Sequence, residues 1–204
     1  MLTLFLIFLL ILVAFLLLLI LFGFFIYIFD AFLELPYVAT KRNKVSTIIE
    51  LASLKKGETT VDLGSGDGRL LFASAQKGAK AIGYELNPLL VYLTRLKVFF
   101  LSLRGAKRRG NLKPNKDRHG NKNDLAMTSW GSVKVYRSDL WKADLRTADV
   151  IFVYARQGTM KRMEDFVYKF ARKGSRIVVN TDLTKSFPTK KPIKKKDGAY
   201  LYKA

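Results

Sequence analysis

The sequence predicts an α/β fold with a mostly parallel sheet, preceded by one apolar helix at the N-terminus. Apolar runs of strand length alternate with helix-length segments beyond residue 45, which is the pattern of parallel sheets. A glycine-rich turn over residues 64–68 directly follows the first apolar run, and an acid, Glu85, ends the second. A strand, a glycine turn, a helix and a second strand ending on an acid together indicate a βαβ unit with a ligand site at its strand ends.

The N-terminal segment is predicted to be a membrane helix. Residues 2–29 carry no charged side chain, and the first charged residue is Asp30. This length exceeds the ~20 apolar residues that cross a bilayer, and a helix apolar on every face is unlike an amphipathic surface helix. A signal peptide would have a basic start and a small-residue cleavage site. We therefore expect residues 1–30 to be a retained transmembrane helix and residues 31–204 to form one domain.

The flanks of this segment predict its orientation. No Lys or Arg precedes it, whereas Lys41, Arg42 and Lys44 follow it closely. Because basic residues favour the cytoplasmic side of a membrane, the C-terminal domain should lie in the cytoplasm. The expected localisation is that of a single-pass membrane protein.

Composition and charge bear on three kinds of binding partner: anionic lipid, nucleic acid and metal ions. The formal net charge is +20, and basic residues concentrate in residues 104–122 and 185–196. Near anionic lipid each basic residue contributes about 1 kcal/mol, so contact with anionic lipid is one interpretation and a solvated loop and tail is the other. Nucleic-acid binding is possible from charge but not favoured, because no aromatic residues alternate with the basic ones. With no cysteine and one histidine, His119, in a polar stretch, we expect no metal site.

Helices are expected where apolar residues recur at helical spacing. A helix starting at Pro88 is compatible with proline, which is tolerated in a first helical turn. Residues 105–131 are rich in Gly, Asn and Lys and lack periodicity, so we expect a basic flexible insertion there. The predicted helices cover residues 45–54, 70–76, 88–103 and 159–171.

Strands are expected at short apolar runs bounded by turn residues. A basic tail, residues 185–204, should contain a last short strand that closes the sheet. The predicted strands cover residues 59–63, 80–85, 133–136, 149–154, 176–180 and 199–202.

The glycine spacing separates kinds of nucleotide site. The glycines are Gly64, Gly66 and Gly68, whereas a dinucleotide fingerprint would need its third glycine at Arg69. A P-loop is excluded because no Gly-Lys-Ser/Thr follows, and a tight turn with incidental glycines is the simpler alternative. Asp62-x-Gly-x-Gly-x-Gly, followed by a strand-end Glu85, is similar to class I methyltransferases that use S-adenosylmethionine (SAM). Such a resemblance implies a Rossmann-like fold, with Glu85 accepting from the two ribose hydroxyls.

Four motifs in series resemble a narrower family. They are Leu-Pro-Tyr-Val-Ala-Thr at 35–40, Asp-Leu-Gly-Ser-Gly-Asp-Gly-Arg at 62–69, Gly-Tyr-Glu-Leu-Asn-Pro at 83–88 and Ser-Asp-Leu-Trp-Lys at 138–142. Together they resemble the membrane-anchored protein-lysine methyltransferases that modify the ATP synthase c-subunit and the adenine nucleotide translocase. The chain departs from that family at Ala39, where proline is usual, in residues 154–158, and in its insertion and tail.

The resemblance implies a set of site residues. Glu85 would hold the ribose hydroxyls with Leu86 and Asn87 nearby, and Asp139 would accept from the adenine amino group with Leu140 and Trp141 beside the ring. For Asp139, capping a turn is the alternative, and Trp141 could belong to the core. Pro36, Tyr37 and Thr40 would line the methionine end or the substrate entrance. The residues that would shape the SAM pocket are Asp62, Gly64, Ser65, Gly66, Asp67 and Gly68.

Methylation of a lysine adds one chemical requirement. An amine with a pKa near 10.4 is protonated at neutral pH, so the site must remove that proton by burial or through a nearby oxygen. Tyr37, Thr40 and Tyr154 are the candidate catalytic residues for this step. The leading hypothesis is a membrane-anchored lysine methyltransferase acting on a protein, with a membrane protein as one candidate substrate. The alternatives are a methyltransferase of RNA or a lipid-like molecule, and a non-catalytic basic membrane adaptor.

Overall fold

The computed structural model describes residues 1–32, 40, 42–110, 132–155, 157–181 and 186–204. The chain forms two compact units, Met1–Tyr37 and Val38–Ala204. The first unit contains helix α1 (Leu2–Phe32), of which Leu2–Tyr27 is long and apolar enough to cross a bilayer by length and composition. The large apolar side chains of this segment, apart from Ile26, are exposed.

The second unit is a seven-stranded sheet with helices between its strands. The strand order is β3-β2-β1-β4-β5-β7-β6, and β1 to β5 are parallel while β7 is antiparallel to β5 and β6. The strands are β1 (Thr59–Leu63), β2 (Lys80–Glu85), β3 (Val133–Arg137), β4 (Val150–Tyr154), β5 (Arg176–Asn180), β6 (Lys194–Lys196) and β7 (Ala199–Lys203). The helices are α2 (Arg42–Ala52), α3 (Arg69–Gln76), α4 (Pro88–Gly110) and α5 (Gln157–Phe170), with a 3-10 turn at Leu140–Lys142. The predicted mostly parallel α/β fold is confirmed.

Two buried clusters hold helices to the sheet. One joins α2 to strands β4 and β5 through residues such as Ile48, Phe152 and Val178. The other joins α3 and α4 to strands β2 and β3, with Leu71 and Val91 packed among the strand residues. Alternate strand residues enter opposite faces, and β4 is apolar on both, whereas one face of β1 carries the buried Thr60 and Asp62.

The basic tail differs from the prediction. Strand β7 lies between β5 and β6, so it does not close the sheet; β6, which is Lys194-Lys195-Lys196, forms that edge. A lysine triplet has low strand propensity and hides this strand in the sequence, although lysine is common on edge strands. Asp197 and Gly198, with φ of 47° and 74°, form the two-residue turn between β6 and β7. Asp-Gly is a strong hairpin signal, and it was the available clue.

The predicted insertion is also partly corrected. Helix α4 extends to Gly110, so residues 105–110 are helical, while residues 111–131 lie outside the described part. Ala, Lys and Arg favour helices, and one internal glycine costs only about 1 kcal/mol, so Gly105 does not end the helix.

Candidate active site

The site residues meet at one edge of the sheet. Because β1 to β4 are parallel, their carboxyl ends lie together, with Leu63 beside both Tyr84 and Val153. From β1 the chain adds β2 and β3 on one side and β4 and β5 on the other. Ligands of such sheets bind outside the carboxyl ends, where the strand order reverses. The predicted residues on the β1, β2, β3 and β4 ends therefore surround one crevice position.

The glycine turn holds its shape by backbone bonds to β2. The amides of Gly64 and Ser65 both donate to the Tyr84 carbonyl, at 2.9 and 3.0 Å. Gly64 has φ of 84°, and a Cβ placed on it would meet no atom within 4 Å, so open space lies against its backbone. Gly68 has φ of 81°, and its Cβ would lie 2.8 Å from the Thr94 Cγ2. Glycine is thus required by conformation at Gly64 and by both conformation and space at Gly68.

Glu85 joins the turn to the start of α4. Its Oε2 accepts from the Gly66 amide at 2.8 Å, and its Oε1 accepts from the Asn87 amide at 2.9 Å. Asn87 in turn caps α4, since its Oδ1 accepts from the Leu89 amide at 2.9 Å. Each carboxylate oxygen has a second lone pair, so the fixed Glu85 carboxylate can still accept from two neighbouring hydroxyls. Leu86, which lies between the buried Glu85 and Asn87, is 40% exposed.

Asp62 lies buried within the end of β1 and is the acid most perturbed by its surroundings. Burial first, and then the nearby charges of Glu85 and Asp67, raise the pKa of the Asp62 carboxyl to about 7. Within the described ranges, no basic side chain forms an ion pair with Asp62 or Glu85. An acid in this state favours a cationic ligand group.

Ser65 and Gly83 form a close contact beneath the turn. Ser65 is buried, and its hydroxyl is without a hydrogen-bond partner among the described residues. A Cβ on Gly83 would lie 2.6 Å from the Ser65 Oγ and 2.7 Å from the Leu71 Cδ1. Sequence reasoning did not assign Gly83 this packing role, although a glycine inside a strand signals such a close approach.

Asp67 lies in an ion pair at the mouth of the turn. Its carboxylate is 2.9 Å from the Arg69 Nε and 3.7 Å from the Lys97 Nζ. The Arg69 Nη1 donates to the Thr40 carbonyl at 2.7 Å, which ties Thr40 to the turn. Of the other candidate catalytic residues, Tyr154 is half-buried at the end of β4, while Tyr37, like Pro36, lies outside the described residues.

Asp139 caps the 3-10 turn after β3. Its Oδ1 accepts from the Trp141 amide at 3.1 Å, and the Ser138 amide donates to the Glu85 carbonyl at 3.0 Å. One oxygen of Asp139 therefore caps a turn, as the alternative interpretation of this residue expected. Leu140 beside it is buried. The Trp141 ring contacts α5, since Phe166 meets it edge-on at 5.4 Å and the Arg162 guanidinium lies 4.1 Å above it.

A nucleoside bearing a positive charge fits this set of acidic, hydrogen-bond-accepting side chains. Fixed Glu85 oxygens suit a pair of hydroxyls, and Asp62, which forms no ion pair within the described ranges, suits a cation. In the described part of the chain, no three His, Cys, Asp or Glu side chains gather as a metal site, and His119 lies outside it.

Comparison with known proteins gives the family. Residues 62–183 match the model of the ANTKMT methyltransferase domain. The human ATP synthase c-subunit lysine N-methyltransferase is 28% identical over 144 residues, covering 71% of this chain and 50% of that protein. The mouse adenine nucleotide translocase lysine N-methyltransferase is 33% identical over 147 residues, covering 72% of this chain and 52% of that protein. The chain thus spans about half the length of these relatives.

A solved structure agrees on the fold. An RNA methyltransferase from Salinibacter ruber, in complex with S-adenosyl-L-homocysteine, superposes with a TM-score of 0.58 at 23% identity, covering 81% of this chain and 91% of that one. The predicted class I methyltransferase fold is confirmed, and the predicted methyltransferase family agrees with the matching domain model. The chain belongs to the ANTKMT methyltransferase-domain family.

Proposed function

We propose that this chain is a SAM-dependent protein-lysine N-methyltransferase held at a membrane by residues 1–30, with residues 31–204 as its catalytic domain. The observation that carries the proposal is the Glu85 carboxylate, fixed by the Gly66 and Asn87 amides beside the buried Asp62. Its support from relatives is that two of them, at 28% and 33% identity, are lysine N-methyltransferases.

The proposed cofactor residues contact different parts of SAM. SAM, when bound, supplies a methyl group activated by its positive sulfur. Glu85 accepts from the ribose hydroxyls, and Asp62 balances the positive charge of the methionine end. Asp139 and Leu140 bound the adenine side. Gly64, with open space against its backbone, lets the ligand approach the turn closely.

The methyl acceptor is a neutral lysine amine. The lysine ammonium would first give a proton to an oxygen acceptor and then to water, which frees the lone pair of the nitrogen. That lone pair would take the methyl group that SAM supplies, and the sulfur would keep the electrons of the broken carbon–sulfur bond. Thr40 and Tyr154 are the described candidates, and Tyr37 completes the predicted set. Arg69 fixes the backbone of Thr40 against the glycine turn, so Thr40 would stay close to the cofactor residues.

The substrate is proposed to be a membrane protein. The relatives are named for the ATP synthase c-subunit and for the adenine nucleotide translocase. Helix α1 contains a candidate span, and the basic residues Lys41, Arg42 and Lys44 after it favour a cytoplasmic catalytic domain. A catalytic domain tethered at the surface would meet lysines at the ends of membrane helices.

Labelled methyl transfer tests this function. Full-length protein, its Glu85→Ala variant and a Glu58→Ala control would be incubated with labelled SAM and membranes from a strain that lacks the gene. We expect methyl-lysine in one membrane protein with the wild type and the control, and none with Glu85→Ala. Label recovered in RNA or lipid would contradict the lysine assignment. Absence of both transfer and SAM binding would favour the non-catalytic adaptor.

A further inference from the structure

Helix α4 has an apolar face that the described part of the domain leaves exposed. Its inner face contributes Val91 and Thr94 to the interior, as expected of a helix packed on a sheet. Its outer face, however, is apolar as well, and side chains there are substantially exposed: Tyr92 is 62%, Phe99 57% and Phe100 54% exposed. We define the outer face of α4 as Leu89, Tyr92, Leu96, Phe99, Phe100 and Leu103.

The spacing shows that these residues form one continuous stripe. Steps of three and four along a helix stay on one side, so the six residues share an arc about 100° wide. Phe99 and Phe100 also contact each other, with ring centroids 5.8 Å apart. Single exposed apolar residues need no explanation, but a contiguous stripe of leucine and aromatic side chains marks a surface that binds something apolar.

The charges beside the stripe indicate which apolar surface it meets. Arg95 and Lys97 flank it on either side and bond to the Val135 carbonyl and to Asp67. The sequence of the last turns of α4 adds the basic residues Arg104, Lys107, Arg108 and Arg109. A helix with an apolar face and basic residues around it is typical of one that lies in the interface of an anionic membrane. A second copy of this chain is disfavoured as the occupant, since two chains of formal charge +20 repel each other.

We propose that the outer face of α4 inserts into the surface of an anionic lipid bilayer. The membrane anchor proposed above brings the domain to that surface, and this inference rests on it. Helix α4 begins at Pro88, directly after Asn87, and Leu86 and Leu89 on either side of that start are 40% and 44% exposed. Docking by this face therefore places the cofactor residues beside the lipid headgroups, where a lysine at the end of a membrane helix can reach them.

The absence of cysteine from the chain allows a direct test. Phe99→Cys places a single label on the outer face of α4, and Lys161→Cys places a matched label on α5, where the lysine side chain is 54% exposed. Both full-length variants, carrying an environment-sensitive fluorophore, would be reconstituted into phosphatidylcholine–phosphatidylglycerol vesicles with brominated acyl chains. We expect the label at position 99 to be quenched at least about twofold more than that at 161. Leu96→Cys should repeat the result, and retained S-adenosylhomocysteine binding would show that each variant is folded.

Several outcomes would overturn the inference. Equal, weak quenching at positions 96, 99 and 161 in floating vesicles would show that α4 stays in water. A label at 99 that is shielded from brominated lipid, together with disulfide crosslinking between two unlabelled Phe99→Cys chains, would assign the face to a second copy. Failure of the chain to float with vesicles would remove both the anchor and this docking. No methyl acceptor is present in the assay, so its result is independent of the proposed lysine methylation.

Discussion

The two ends of the parallel sheet place acidic side chains in opposite electrostatic settings. At the amino end, Glu58 is 2.5 Å from Arg176, and Asp149 pairs with Arg172. At the carboxyl end, Asp62 and Glu85 are buried near each other without an ion-pair partner among the described residues. Glu58 and Asp149 at the amino end are thus paired within the protein, whereas Asp62 and Glu85 at the carboxyl end have no basic partner among the described residues.

The cavity at the amino end illustrates the difference. It has a volume of about 430 Å³, and its walls include both ion pairs together with Lys55 and Lys203. Asp149 also accepts from the Thr59 amide at 2.8 Å, so its charge helps to hold β1 in place. Charges that are paired within the protein in this way stabilise the fold. Charges that remain unbalanced, as at Asp62, mark the functional end of the sheet.

The largest predicted effect is on cofactor affinity, when one acid at each end of the sheet is replaced by alanine. Glu85→Ala removes two charge-assisted hydrogen bonds to backbone amides, so S-adenosylhomocysteine affinity should fall at least about 100-fold. Glu58→Ala should leave that affinity within about twofold, because it breaks only amino-end contacts. Isothermal calorimetry on the full chain in detergent measures both. Equal losses in the two variants would abolish the distinction between the ends.

The second predicted effect is on folding stability, which ionisation of Asp62 should lower as the pH rises. The pKa of Asp62 is raised from 3.8 to about 7, so ionisation is harder in the folded chain than in the unfolded one. Folding stability should therefore fall as the pH rises from about 4 to about 7 and stay low above that range. Asp62→Asn removes this penalty. Without ligand, it should gain more stability at pH 8 than at pH 5, by about 3 kcal/mol.

Thermal unfolding at the two pH values measures this gain. Asp144→Asn is the matched control, because hydrogen bonds from Arg146 lower the pKa of exposed Asp144 to about 2, and its neutral form should gain nothing at pH 8. The Asp62→Asn variant should also bind the cofactor more weakly. A loss of stability at pH 8 would mean that the buried carboxylate is satisfied in the fold after all.

The sequence predicted the strands of the fold more completely than the contacts of the site. Strands 59–63, 80–85 and 176–180 were predicted to the residue, because each is an apolar run bounded by turn residues. Strand β6 was missed, since its three lysines carry no apolar pattern and only the Asp-Gly turn after it signals a hairpin. Local pattern predicts elements well and edge strands poorly.

At the site, spacing predicted placement and left contacts open. Positions Asp62 to Gly68 and Glu85 follow from the motif, and the structure gathers them at one edge. The Arg69 contact with the Thr40 carbonyl joins residues 29 positions apart, so no local pattern could predict it. Likewise, the motif could not show that one oxygen of Asp139 caps a turn.

A smaller effect is expected at the amino end. Arg176 donates to the carbonyls of Ala52 and Ser53, each at 2.6 Å, and pairs with Glu58, so it joins the end of α2 to β5. Arg176→Ala should lower stability by about 2 kcal/mol, or roughly 4–8 °C in Tm, without changing cofactor affinity. Arg146→Ala, which breaks an exposed pair, is the control expected to leave Tm unchanged. A weakened cofactor site in Arg176→Ala would show that the two ends are coupled.

The smallest effect tests an arginine that pairs with an acid at the carboxyl end. Arg69 contacts Asp67 and the Thr40 carbonyl, and Lys97 remains near Asp67 when Arg69 is removed. We expect Arg69→Ala to lower the methyl-transfer rate about tenfold through misplacement of Thr40, with cofactor affinity changed less than about twofold. Steady-state kinetics and calorimetry separate these quantities, and Arg69→Lys should not restore the rate, since lysine lacks the second nitrogen that reaches Thr40. If Arg69→Ala instead lowered Tm as Arg176→Ala does and left the rate intact, this ion pair would serve the fold. The carboxyl end would then use its charges for stability as well, and only Asp62 and Glu85 would distinguish it from the amino end.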